Sequence, residues 1–229
     1  MDDDEVWAAV DARRAALVDL LVTLTADQWQ RQSLCEAWNV HEVAAHLTMP
    51  ALGMRRAMPL VLRHPGGTNT VIREASKDLA RRLPPEQVVE KLRSMIGFHH
   101  HFVLTCREAL IDVVGHSLDM AVVLAGESPA AERLASSLPP AHVAEAADRV
   151  VATAASWRGK VFRPLALQGL TLRADDQPWS TGSGPEVVGS MTEVFLLLTG
   201  RTAWLDRVHG PGAEMLRERV ATRARTAAA

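Results

Sequence analysis

Apolar residues recur at helical spacing through most of the first two thirds of the chain. Over about residues 4–24, Val6, Val10, Ala15, Leu17, Leu20, Leu21 and Leu24 predict an amphipathic helix. The next helix start is marked more sharply. Asn39 is a good N-cap, Glu42 three residues later completes a capping box, and Trp38 and Val43 flank it as a hydrophobic staple. This helix is expected from about 40 to the low 60s, bent or broken at Pro50 or Pro59 and ended by His64-Pro65-Gly66-Gly67. Shorter helices follow at about 69–82 and 86–96, a longer and more apolar one over 103–124, and another over 140–157 after Pro139-Pro140.

From Arg163 the pattern changes. Leu165 to Leu172 has strand-like composition, and Ala174 to Pro178 reads as a turn. Trp179 to Pro185 reads as a Gly-rich loop with a hairpin turn at Gly182-Ser-Gly184, and Glu186 to Gly189 as a short strand. Ser190, with Glu193, then caps a helix over Met191 to Thr199, and a last helix covers about 211–223. The expected architecture is mainly α: a helical N-terminal bundle over 1–158 and a small α+β domain over 163–225.

Composition narrows the classes of function. In 229 residues the net charge is −2, so no basic footprint for nucleic acid is present. Two cysteines, Cys35 and Cys106, make no disulfide framework and read as inert buried thiols. The acidic start Met-Asp-Asp-Asp-Glu is followed by no apolar signal core, and no apolar run approaches the ~20 residues of a membrane span. A soluble cytoplasmic protein, monomer or homodimer, is the expectation.

The candidate chemistry lies on the 103–124 helix. Glu108, Asp112, His116 and Asp119 form one polar stripe on an otherwise oily helix. Residues four apart share a face, about 5–6 Å between side-chain origins, so Asp112 and His116 can reach one divalent metal at about 2 Å each. His46, on the shoulder of the apolar face of its own helix, is a third ligand candidate, and Asp119 is a candidate acceptor that orients an imidazole. The stripe is explained about as well as the wet edge of an apolar helix, and a lone His46 as a core histidine satisfied by a carbonyl. His41 is expected to be exposed, and His99-His100-His101 to be a surface cluster. Arg201, at the end of a helix, reads either as a partner of the helix dipole or as an anion clamp.

Taken together, these segments resemble a known family. Leu34-Cys-Glu-Ala-Trp38-Asn-Val-His-Glu-Val-Ala-Ala-His46-Leu and Leu110-Ile-Asp112-Val-Val-Gly-His116-Ser-Leu-Asp119-Met are similar to two helical motifs of the mycothiol-dependent maleylpyruvate isomerase-like proteins. Trp179 to Gly189, with Leu196 to Arg201, resembles their C-terminal module. The resemblance spans most of the chain and implies a DinB-like four-helix bundle. It further implies a divalent metal, zinc with nickel as the alternative, held by His46, Asp112 and His116. Its cosubstrate would be a low-molecular-weight thiol, mycothiol in actinobacteria, whose pKa the metal lowers. The thiol would isomerise or S-conjugate a small electrophile, and Arg201 matches the family's carboxylate-binding arginine. Two departures stand out: aspartate at 112 where the isomerase has glutamate, and Val122-Val-Leu124-Ala-Gly126 where relatives often have Pro-Leu-Gly. A metal-dependent hydrolase on the same bundle and a non-catalytic metal or small-ligand binding protein are the rival readings.

Overall fold

A computed structural model describes residues 1–52, 59, 63–64, 66–99, 105–154 and 165–228. It divides into two compact units, Met1–Ser137 and Leu138–Ala229. The boundary therefore falls earlier than the 158 expected from sequence. The physical reason lies in the helix Pro140–Thr153, which packs against Met191–Leu198 within the second unit. Periodicity had identified an apolar face on that helix but carried no information on which core it would join.

The first unit is helical. Its elements are α1 (Asp3–Leu21), α2 (Ala26–Gln30), α3 (Val40–His46), α4 (Thr68–Arg82), α5 (Pro85–Ser94), α6 (Cys106–Leu124) and α7 (Pro129–Ser136). The helix expected from 40 to the low 60s is shorter in its described part: α3 ends at His46, and a 3₁₀ turn covers Met49–Ala51 around Pro50. Most of 53–62 lies outside the described residues, as do His100 and His101. Neither α2 nor α7 was expected from the sequence. Both are short and apolar on one face, a weak periodic signal.

α6 is the spine of this unit, packed on α1, α3 and α7. Cys106–Glu127 is a 22-residue stretch apolar enough, at mean hydropathy 1.6, to cross a membrane by composition, contrary to the expectation that no run approaches that length. Much of it, 61%, is buried within the protein, as in the core helix of a folded domain. Its start is fixed by a capping box in which Thr105 accepts from the Glu108 amide and Glu108 accepts from the Thr105 amide. Glu108 is thus spent on the cap, separate from the rest of the stripe.

The loop before α3 is held tightly. Ser33 and Gln32 side chains both donate to the Trp38 carbonyl, at 2.7 Å each, and the Leu34 amide donates to the Asp119 carbonyl of α6 at 3.1 Å. The Asn39–Glu42 capping box then sets the direction of α3. The loop thereby brings Cys35 and Trp38 against α6.

The second unit contains α8 (Pro140–Thr153), β1 (Thr171–Ala174), β2 (Ser180–Gly182), β3 (Glu186–Gly189), α9 (Met191–Leu198) and α10 (Pro211–Ala228). The expected strand from Leu165 is confined to Thr171–Ala174, and the loop after Trp179 contains strand β2. β1 is central, antiparallel to β2 and parallel to β3. Gly182-Ser-Gly184 therefore does not turn a hairpin between neighbours but carries the chain from β2 past β1 to β3. That path needs backbone without side chains: Gly184 has φ +122° and a Cβ there would stand 2.2 Å from the Gly169 carbonyl oxygen. α9 packs on β1 and β3 and carries the expected Ser190–Glu193 capping box.

Candidate metal centre

Three helices deliver the side chains. His46 closes α3, Asp112 and His116 lie one turn apart on α6, and Ser76 comes from α4. His46 Nε2 lies 3.3 Å from Asp112 Oδ1, and His116 Nε2 lies 3.5 Å from the same oxygen. The two imidazole rings meet edge-on at 4.8 Å. Ligand atoms of the three residues all fall within 4.8 Å of one another.

The far nitrogens of both rings are engaged. His116 Nδ1 is 2.9 Å from Asp119 Oδ2, and His46 Nδ1 is 3.3 Å from Ser76 Oγ. Asp119 and Ser76 are both 0% exposed, so neither contact is replaceable by bulk water. Trp38 stacks on His46 at 4.8 Å and tilts over His116 at 5.7 Å, forming an apolar wall. The side chains of His46, His116 and Asp112 remain 13%, 14% and 25% exposed, so the site is reachable. On its other side Asp112 borders a cavity of about 10 Å³, enough for one water, shared with Arg14, Leu47 and Leu92.

Electrostatics favour an ionised Asp112. Burial alone would raise its carboxyl pKa, but His46, His116 and Arg14 hold it below the usual carboxylate value. Arg14 is itself nearly buried and donates to the Met95 carbonyl at 2.7 Å, and burial lowers its pKa.

The donor set suits a divalent cation. A tetrahedral site with ~2.0–2.1 Å bonds has ligand atoms about 3.3 Å apart. The Nε2–Oδ1 separations of 3.3 and 3.5 Å match that edge and are longer than good N–H···O hydrogen bonds. Two imidazole nitrogens and one carboxylate form a set of the type found in catalytic zinc sites.

The sequence expectations fare unequally. His46, Asp112 and His116 are brought together, and Asp119 lies against His116. Asp119 is fully buried, so the stripe is not simply a wet edge. Cys35 is half-buried rather than buried: its Sγ lies 3.1 Å from Asp119 Oδ2 and 3.8 Å from His116 Nδ1. Cys35, His116 and Asp119 form a second group of metal-type donors, which hydrogen bonding to the Asp119 carboxylate accounts for. His41 is half-buried rather than exposed, with Nε2 2.8 Å from the Leu83 carbonyl oxygen. His99 stacks on Trp7 and contacts Asp11.

Arg201 lies in the second unit. Gly200, at φ +85°, and Arg201 close α9 as a Schellman motif, their amides donating to Leu197 and Leu196. The Arg201 guanidinium donates to the Thr199 carbonyl at 3.0 Å.

Ser76, Trp38 as a ring partner, and Arg14 were missed by sequence reasoning. Ser76 alone left a trace, as a small polar residue between Ala75 and Leu79 on the buried side of α4.

Part of the chain resembles a known family. Residues 10–98 match the family described as the mycothiol maleylpyruvate isomerase N-terminal domain. Over this segment the chain is similar to that family. The segment includes His46 and Ser76, while Asp112 and His116 lie beyond it. Two solved structures resemble nearly the whole chain: the mycothiol-dependent maleylpyruvate isomerase and a histidine-to-alanine mutant of it. Each is 14% identical and covers 93% of this chain and 94% of its own, with TM-scores of 0.50 and 0.53 respectively. At that identity the likeness establishes the shared fold, a DinB-like helical bundle with a small C-terminal module. No curated protein matches the chain.

Proposed function

We propose that this protein is a zinc-dependent enzyme that uses a low-molecular-weight thiol, mycothiol, to isomerise or S-conjugate a small electrophile in the cytoplasm. The convergence of His46 Nε2, Asp112 Oδ1 and His116 Nε2, with both Nδ1 atoms engaged from behind, is the observation that carries this reading. A divalent cation held by these three would supply positive charge that lowers the pKa of an incoming thiol.

The protein's own groups do the rest. Asp112 contributes a single negative charge, so the set keeps net positive character toward an anionic sulfur. Asp119 and Ser76 fix the two rings, and Trp38 shields one side from water. The thiol sulfur adds to the electrophilic carbon of a conjugated double bond, which becomes single. Rotation about it and cleavage of the new carbon–sulfur bond regenerate the double bond in the other geometry and return the thiol. If a proton instead captures the adduct, the conjugate is the product. Arg201 is assigned the binding of a substrate or thiol carboxylate.

Incubation of the zinc-loaded protein with mycothiol and a panel of cis-enoic acids and other electrophiles tests this. Isomerised product or a thiol adduct is expected only when thiol is present. His46→Ala should reduce turnover by more than the roughly 10–100-fold that loss of an outer partner costs. Arg201→Ala should raise KM for carboxylate substrates. Turnover without thiol would replace this reading with a hydrolytic one.

A further inference from the structure

We propose that Ser76 is a positioning residue that sets the tautomer of His46 and thereby turns a His–Asp contact into a cation site; this rests on the metal reading above. The hydroxyl of Ser76 has one proton and three neighbours. The Ile72 carbonyl oxygen lies 2.7 Å away, Met49 Sδ 3.4 Å and His46 Nδ1 3.3 Å. The carbonyl one turn back is the nearest and the best acceptor, a common arrangement for serine within a helix. With its proton committed there, Ser76 Oγ offers His46 only a lone pair. A neutral His46 then carries its proton on Nδ1 and donates it to Ser76, leaving Nε2 bare, whereas a protonated ring donates from both nitrogens and holds Asp112 ionised.

The consequence falls on the other side of the ring. A bare Nε2 stands 3.3 Å from Asp112 Oδ1, lone pair toward lone pair. His116 repeats the pattern. The buried Asp119 carboxylate accepts from Nδ1, so Nε2 is bare and faces the same oxygen at 3.5 Å. Three electron-pair donors then converge with no proton among them, an arrangement that a cation relieves. With the opposite tautomer, His46 would donate Nε2–H to Asp112 and form a satisfied pair with no free lone pair for a metal. Ser76 decides between the two outcomes because it is fully buried and no water can take its place. Its partner is a neutral hydroxyl rather than a carboxylate, so the His46 arm is the more weakly fixed of the two.

The test uses the full chain, first free of metal and with the imidazoles neutral. Long-range ¹H–¹⁵N correlation spectra should show His46 protonated at Nδ1 in the wild type. In Ser76→Ala the proton should move to Nε2, and Zn²⁺ affinity, measured against a competing chelator, should fall about 10–100-fold. Ser76→Thr, which keeps the hydroxyl, should restore both. Unchanged tautomer and affinity in Ser76→Ala would overturn the assignment. If the wild type takes up no Zn²⁺, the metal reading falls, and the tautomer measurement alone then decides the role of Ser76.

Discussion

At the scale of single residues, the site depends on which nitrogen of each histidine faces inward. Asp119 is the plainest case, because a fully buried carboxylate on an apolar helix is costly unless it receives strong hydrogen bonds. The His116 ring and the Cys35 thiol both lie within reach of its Oδ2. Asp119→Asn keeps the shape of the side chain and removes its charge. The expected result is a folded protein whose Zn²⁺ affinity falls about 10–100-fold, read by chelator competition with circular dichroism as the control. Spacing along one helix was enough to nominate Asp112, His116 and Asp119. It could not nominate Ser76, whose relevance arises because α3 and α4 pack side by side. Nor could it show that Cys35, 81 positions before His116, would share a carboxylate with that ring.

At the scale of elements, local rules were most reliable where a backbone group demanded one partner. The capping boxes of Asn39 and Ser190 formed as expected, since unsatisfied helix-end amides have few other solutions. Strand order was another matter. Gly182 and Gly184 look like a hairpin turn, yet the chain crosses β1 there, and both glycines press against carbonyls of the segment before it. Gly184→Ala forces a side chain onto the Gly169 carbonyl at positive φ. A loss of roughly 1–3 kcal/mol or more is expected, measured by denaturant unfolding, with wild-type-like stability counting against this account of the crossing.

At the scale of the whole molecule, two compact units share one chain, and the proposed metal ligands all belong to the first. Binding to the folded state alone raises its stability by mass action, about 2.7 kcal/mol at one hundred times Kd. Zn²⁺ should therefore raise the Tm of the full chain, a chelator should reverse the rise, and His116→Ala should remove the response. An equal shift in His116→Ala would mean that zinc binds elsewhere. The helical character, the Asn39 and Ser190 caps, and the grouping of Asp112, His116 and Asp119 were determined by the sequence itself, because they depend on contacts within about four residues or on a single obligatory backbone partner. The placement of Pro140–Thr153 in the second unit, the strand order β2-β1-β3 and the meeting of Ser76 with His46 were decided only in three dimensions. Each depends on which of several apolar faces pack together, and an apolar face carries no label naming its partner.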